Sequence, residues 1–231
     1  MSRVVEPLAA IRNSFVLSAL PTEVQAELAA LAREEIYQPG SLLARAGELP
    51  DRLWYVSHGA VEIGLYSREG RSVLLSPIVA GGWATWLACF SPAPLPHDLW
   101  TGPETRLLAF PSDVLRRMAA AHPAIYPRLI ERIGDRVREL IGWSFSSTLV
   151  DPERRLAYLL VHNCREMRRP SDGPYILNLS HERIGQMGIG TRQRVARLLT
   201  ALESRGLVST RYGQVEVPSL SQLDAFAAVT R

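Results

Sequence analysis

Arg192, Gln193, Arg194 and Arg197 crowd the middle of SHERIGQMGIGTRQRVARLLTALESR, residues 180–205. An arginine guanidinium can bond bidentately to the O6 and N7 of guanine or to a phosphate, and a glutamine amide to the N6 and N7 of adenine. Held together on one face of one helix, these groups could read the edges of base pairs. A single arginine on an exposed face would only solvate its helix, so the reading depends on the elements that hold the group.

Those elements are legible nearby. Ser180 can cap a short helix whose apolar side is Ile184 and Met187, and Gly188-Ile189-Gly190 breaks it. Thr191 then caps a second helix, with Val195, Leu198, Leu199 and Leu202 on its buried side and the polar group outside that stripe. Two helices joined by a short glycine-containing link form a helix-turn-helix, whose second helix presents its N-terminal half to the major groove. Beyond it, GLVSTRYGQVEVPS reads as a hairpin turning at Tyr212-Gly213, the wing of a winged helix, with Arg211 placed to meet phosphate.

Charge agrees with this placement. The chain of 231 residues contains no lysine, so its 26 basic residues are all arginine. Up to residue 150 there are 14 Arg against 15 acidic residues, and after it 12 against 8, so the basic excess lies in the C-terminal third. Cys89 and Cys164 are too few for a disulfide framework and carry no zinc or iron–sulfur spacing, which favours a reduced, cytoplasmic setting. Glu6, Arg12 and Asn13 interrupt the N-terminal apolar run, so no signal peptide or membrane anchor is expected. No nucleophile–base pair, paired acids or metal set stands out, and an enzyme is not expected.

Ahead of that third, Phe15, Leu17, Leu20, Val24, Leu28 and Leu31 recur at helical spacing, which predicts a helical lead-in over about 13–35, with Pro21 opening its second helix. From 36 to 110, short apolar runs separated by Gly40, Gly47, Gly59, Gly70 and Gly81-Gly82 predict an antiparallel sandwich or barrel. Helix returns over 112–121 and from 124 to about 147. In the second of these, Ile130, Ile133, Val137, Leu140 and Ser144 step by 3 or 4 residues, a coiled-coil seam that would lie on its own barrel or on a partner chain. Asp151-Pro152 suits the cap and first turn of a new helix, so a hinge is expected there.

In this order the pieces resemble the Crp/Fnr superfamily of bacterial transcription regulators. The resemblance covers nearly the whole chain, through Gly40, Gly47, Asp51, Leu53, Val56, Gly59, Gly70 and Gly82 in the barrel and Ile184, Thr191-Arg192, Val195 and Arg197 in the reading motif. It implies an α+β chain in three parts: a sensor domain (1–121) with a cyclic-nucleotide-binding-type β-barrel (jelly-roll), a long dimerisation helix (122–149), and a C-terminal winged helix-turn-helix that binds DNA (150–231). It implies a homodimer on a palindromic promoter site in double-stranded DNA, with RNA polymerase as a partner. Carried over by position, Arg192, Gln193 and Arg197 read bases, while Ser180, Thr191, Arg194 and Arg211 contact phosphate. The family's usual leucine–glycine pair at the turn is replaced by Gly188-Ile189, and Gln193 stands where many members have glutamate.

A larger departure is GGWATWLACFSPAPLPHDLW, residues 81–100, with three tryptophans and Asp98 as its only formal charge. Members that bind cyclic nucleotides hold the phosphate with a glycine-glutamate pair and then an arginine beside a serine or threonine. Those positions fall here on Trp86-Leu87 and about Leu95-Pro96, which argues against cyclic AMP because a phosphate would lie unpaired in an apolar site. Two readings stay open. The tryptophans fill the barrel and no ligand is needed, or a pocket of Trp83, Thr85, Trp86, Leu87, Leu95 and His97 takes an apolar or aromatic effector, or a haem through His97 and Cys89. A different class of function is also open, an effector-binding module whose basic C-terminal domain meets a protein instead of DNA.

Overall fold

The computed structural model describes residues 5–66, 72–75, 77–149, 151–166 and 173–228; Gly70, Val150 and the turn-rich segment 168–172 lie outside them. Its contacts divide the chain into two units, Met1–Gly64 with Pro77–Arg138, and Leu65–Ser76 with Glu139–Arg231. The division falls inside the long helix, ahead of the hinge expected at Asp151-Pro152.

The first unit opens on α1 (Pro7–Arg12), a 3-10 turn at Leu17–Ala19 and α2 (Thr22–Ala30). Helix expected as far as Glu35 therefore stops at Ala30, and Arg33–Tyr37 is strand β1. Every residue of β1 pairs antiparallel with the stretch from Thr105 to Ala109, and that pairing overrides the helix preference of Arg33, Glu34 and Glu35. Then come β2 (Leu42–Ala44), β3 (Arg52–His58), β4 (Ala60–Tyr66), β5 (Ser72–Leu74), β6 (Ile78–Val79), β7 (Trp83–Ala84), the short α3 (Trp86–Phe90), β8 (Asp98–Thr101) and β9 (Thr105–Pro111). One sheet runs β1-β9-β3-β7 and the other β2-β8-β4-β5, with β6 on β4. This is the expected sandwich of the cyclic-nucleotide-binding type.

Alternation along the strands gives the first sheet two apolar faces. Leu53 of β3, with Leu108 and Phe110 of β9, meets Leu17 and Leu28 from the N-terminal segment. The same core takes Leu115 of α4 (Ser112–Ala121) and Ile125 and Leu129 of α5 (Ile125–Leu149). Further along α5, Ile133 packs against this core, whereas Ile130, Val137 and Leu140 are 69%, 48% and 45% exposed. Ser144 is exposed as well. Most of the seam is thus uncovered by its own chain among the described residues.

In the second unit, which also holds β5 and the end of α5, α6 (Pro152–Glu166) is capped as its sequence requires: the Asp151 carboxylate accepts from the backbone N–H of Glu153 at 3.0 Å and of Arg154 at 3.1 Å. Strand β10 (Tyr175–Leu177), α7 (His181–Ile184), the turn Gly185–Ile189, α8 (Arg192–Ser204), β11 (Ser209–Arg211), β12 (Gln214–Val217) and α9 (Leu220–Ala227) follow. The strands form an antiparallel sheet, β10-β12-β11. Leu156, Leu160, Cys164, Ile184, Leu199, Val215 and Leu223 close one core, which Leu74 joins. The Arg154 and Arg205 guanidiniums each lie 5.3 Å from the Phe226 ring centroid and hold α9 in place. Among the described residues, no helix is long and apolar enough to cross a membrane.

Phe110 is fully buried between sheet and helices in the first unit. Phe110→Ala is expected to cost about 3–5 kcal/mol in urea unfolding followed by near-ultraviolet circular dichroism; a loss under about 1 kcal/mol would mean that this layer is loosely packed.

Candidate nucleic-acid interface

The reading module is built by caps, a tight turn and one buried stripe. Ser180 Oγ accepts from Arg183 N at 3.2 Å and starts α7; Thr191 Oγ1 accepts from Arg194 N at 3.3 Å and starts α8. Used as acceptors, both hydroxyls keep a proton to donate. Between the helices, Gly188 (φ +91°) and Gly190 (φ +126°) take backbone conformations that favour glycine. Gly185 is required for another reason: a Cβ there would lie 2.3 Å from the Gly190 carbonyl oxygen, so only glycine lets the two helices approach this closely.

On α8, Val195, Leu198, Leu199 and Leu202 are buried, and Arg192, Gln193, Arg194 and Arg197 are exposed. The structure thus brings the predicted base-reading side chains onto one solvent-facing side of the helix. The wing turns at Tyr212-Gly213, with Gly213 at φ +71°, and Arg211 stands exposed on β11 with Nη2 3.9 Å from Glu216 Oε2. One residue that holds the parts together had no separate signal in the sequence. Glu203, near the end of α8, accepts from Thr210 N at 2.5 Å and Thr210 Oγ1 at 2.7 Å, which fixes the wing to the reading helix.

Residues named as a possible effector pocket stand in different settings. The Trp83 ring lies 5.0 Å from Tyr55, 5.5 Å from Trp86 and 5.4 Å from Phe110, centroid to centroid, and Trp86 stacks on Phe90 at 5.9 Å. Both indoles pack against the helix-facing core of the first unit. Thr85, left-handed at φ +74°, donates its hydroxyl to the carbonyls of Arg52 and Ala84. Leu87 is 62% exposed, and Leu95 is buried where its backbone bonds to Gly47 and Glu48. His97 is half-buried; burial first, with Arg136 adding to it and Asp98 opposing, lowers its pKa and keeps the ring neutral at neutral pH. Burial pushes the Cys89 thiol up to about 11 and that of Cys164 up to about 12, so both behave as core groups.

Comparison with known proteins follows this division. A family model described as cyclic nucleotide-binding domain matches residues 34–122, and one described as Crp-like helix-turn-helix domain matches residues 154–226. The chain is 26% identical over 171 residues to the CRP-like cAMP-activated global transcriptional regulator of Mycobacterium tuberculosis, covering 73% of this chain and 76% of that protein. It is 25% identical over 178 residues to the cAMP-activated global transcriptional regulator CRP of Salmonella typhimurium, covering 75% and 83%. Among solved structures, FixK2 from Bradyrhizobium japonicum superposes with a TM-score of 0.74 at 17% identity, over 87% of this chain and 99% of that one.

Gly185→Ala is expected to cost about 1–3 kcal/mol, because backbone must move to admit the methyl group. It should abolish specific DNA binding in a gel shift even where circular dichroism shows a folded domain; wild-type affinity would show that the turn tolerates the wider spacing.

Proposed function

For a chain that belongs to the Crp/Fnr superfamily of DNA-binding transcription regulators, we propose that two copies bind one palindromic promoter site, each inserting α8 into the major groove of a half-site. The observation that carries this reading is the exposed set Arg192, Gln193 and Arg197 on a helix whose other face is buried. Arg192 and Arg197 suit guanine and Gln193 suits adenine. Ser180, Thr191, Arg194 and Arg211 take backbone phosphates and set the register. The exposed seam of Ile130, Val137 and Leu140 supports pairing along α5, with Ile133 lending its other side to the first unit. Contact with RNA polymerase at the promoter belongs to the same reading.

The sensor unit works without a cyclic nucleotide. A glycine is the unstrained residue for the left-handed position that Thr85 occupies, so a glycine-first pair aligns on Thr85-Trp86, one residue before Trp86-Leu87. In either register no carboxylate is supplied, and the later pair on Leu95-Pro96 offers no guanidinium. A phosphate charge left there without a partner would cost several kcal/mol, on the order expected for an unpaired ion in an apolar site. Trp83 and Trp86, spent on packing against Tyr55, Phe90 and Phe110, support regulation without a ligand over an apolar effector. A haem held by Cys89 is disfavoured by the thiol's full burial.

Arg192→Ala and Arg197→Ala should each reduce discrimination between operator and random DNA by about 1–3 kcal/mol in competition gel shifts; variants that discriminate like wild type would refute base reading by α8. Placing glutamate at both Val137 and Leu140 should yield a monomer in analytical ultracentrifugation and weaken operator binding. A variant that sedimented as a dimer would put the dimer contact elsewhere.

A further inference from the structure

Arg155 has no role in the reading above, yet it stands beside the reading motif. Its guanidinium carbon lies 5.2 Å from the centroid of the Trp143 ring near the end of α5. Both side chains rest on the turn, since a Cβ at Gly188 would meet Arg155 Nη2 at 3.4 Å and Trp143 Cζ2 at 3.6 Å. Arg155 Nε is buried without a hydrogen-bond partner among the described residues. Two residues further along the turn, Arg194 arches over Gly190, where a Cβ would come 3.1 Å from its Cδ.

Two arginines from different helices therefore converge on one glycine turn, and among the described residues no carboxylate pairs with Arg155. Its pKa is lowered by burial first and by the charge of Arg194 second. A partly buried cation next to a like charge is costly until an anion arrives. The Trp143 indole offsets part of that cost by accepting the guanidinium on its face. A compact anion could take bonds from both side chains.

We propose that Arg155 of α6 and Arg194 of α8 together hold one phosphate of the DNA backbone at the Gly188–Gly190 turn. This rests on the DNA-binding reading given above and adds to it a phosphate site reaching outside the helix-turn-helix. Trp143 is the positioning residue of the site, because it keeps the Arg155 guanidinium on the turn before DNA arrives.

The test is the salt dependence of operator binding by the full chain, measured across a potassium chloride series. Each phosphate contact contributes about 0.9 to the slope of log K against log salt. Each of the two copies carries the residue, so Arg155→Met, which keeps an apolar stem on Trp143, should flatten the slope by about 2, one phosphate per copy, whereas Arg155→Lys should keep the wild-type slope. Arg155→Gln serves the same comparison if methionine leaves the domain unfolded. A shared phosphate also requires that Arg155→Met combined with Arg194→Met lose less than the product of the two single losses. A wild-type slope in the neutral variants, whatever their affinity, would overturn the site, and so would a lysine variant as flat as the methionine one. Absence of any DNA binding by the wild type is a separate result that removes the reading on which the site rests.

Discussion

A helix offers a fixed face to a partner only when its opposite face is held. In α8 that hold is the stripe of Val195, Leu198, Leu199 and Leu202, seated in a core with Leu156, Leu160, Ile184 and Val215. Each residue advances the helix by about 100°, so rolling it by one position would drive an arginine into that core. An unpaired arginine there would cost several kcal/mol, on the order measured when one partner of a buried ion pair is removed. Burial of four aliphatic side chains thereby decides where Arg192, Gln193 and Arg197 point. The neighbouring features depend on that choice: Gly185 sets the distance to α7, Thr191 sets where the helix begins, and Glu203 ties the wing to its far end.

The same preference for pairing or excluding charge shapes the first unit. Period-two alternation sends Leu53, Leu108 and Phe110 to the helices, and Trp83 and Trp86 follow them instead of lining a polar cradle. Within residues 81–100, Trp83 and Trp86 pack against the helix-facing core, while Leu87 and residues 91–94 are exposed. Trp, Leu and Pro stand in this chain where the family resemblance places a phosphate-holding set of groups.

Much of this was legible in the sequence because local chemistry and global packing agree there. The caps at Asp151, Ser180 and Thr191, the wing turn at Tyr212-Gly213 and the burial of the α8 stripe follow from short-range rules that tertiary contacts left intact. Where long-range contacts decide, the pattern misled: Arg33-Glu34-Glu35 looked helical and became strand because β9 supplied a partner. Ile133 fitted the seam by spacing, yet it also packs on its own unit, which spacing alone does not reveal. The six residues named around the apolar stretch are close in sequence but separate in setting, because strand ends and loops send neighbours in different directions. Arg155 gave no signal at all, since its neighbours Trp143, Gly188 and Arg194 are brought to it only by folding.

Hydroxyl-radical footprinting on DNA upstream of the protein's own gene measures the reading role most directly. A homodimer with one α8 in each half-site should protect two patches of backbone centred about one helical turn apart, roughly 34–36 Å, around a sequence with two-fold symmetry. Uniform protection along the fragment, or none at low salt, would contradict sequence-specific reading by this chain.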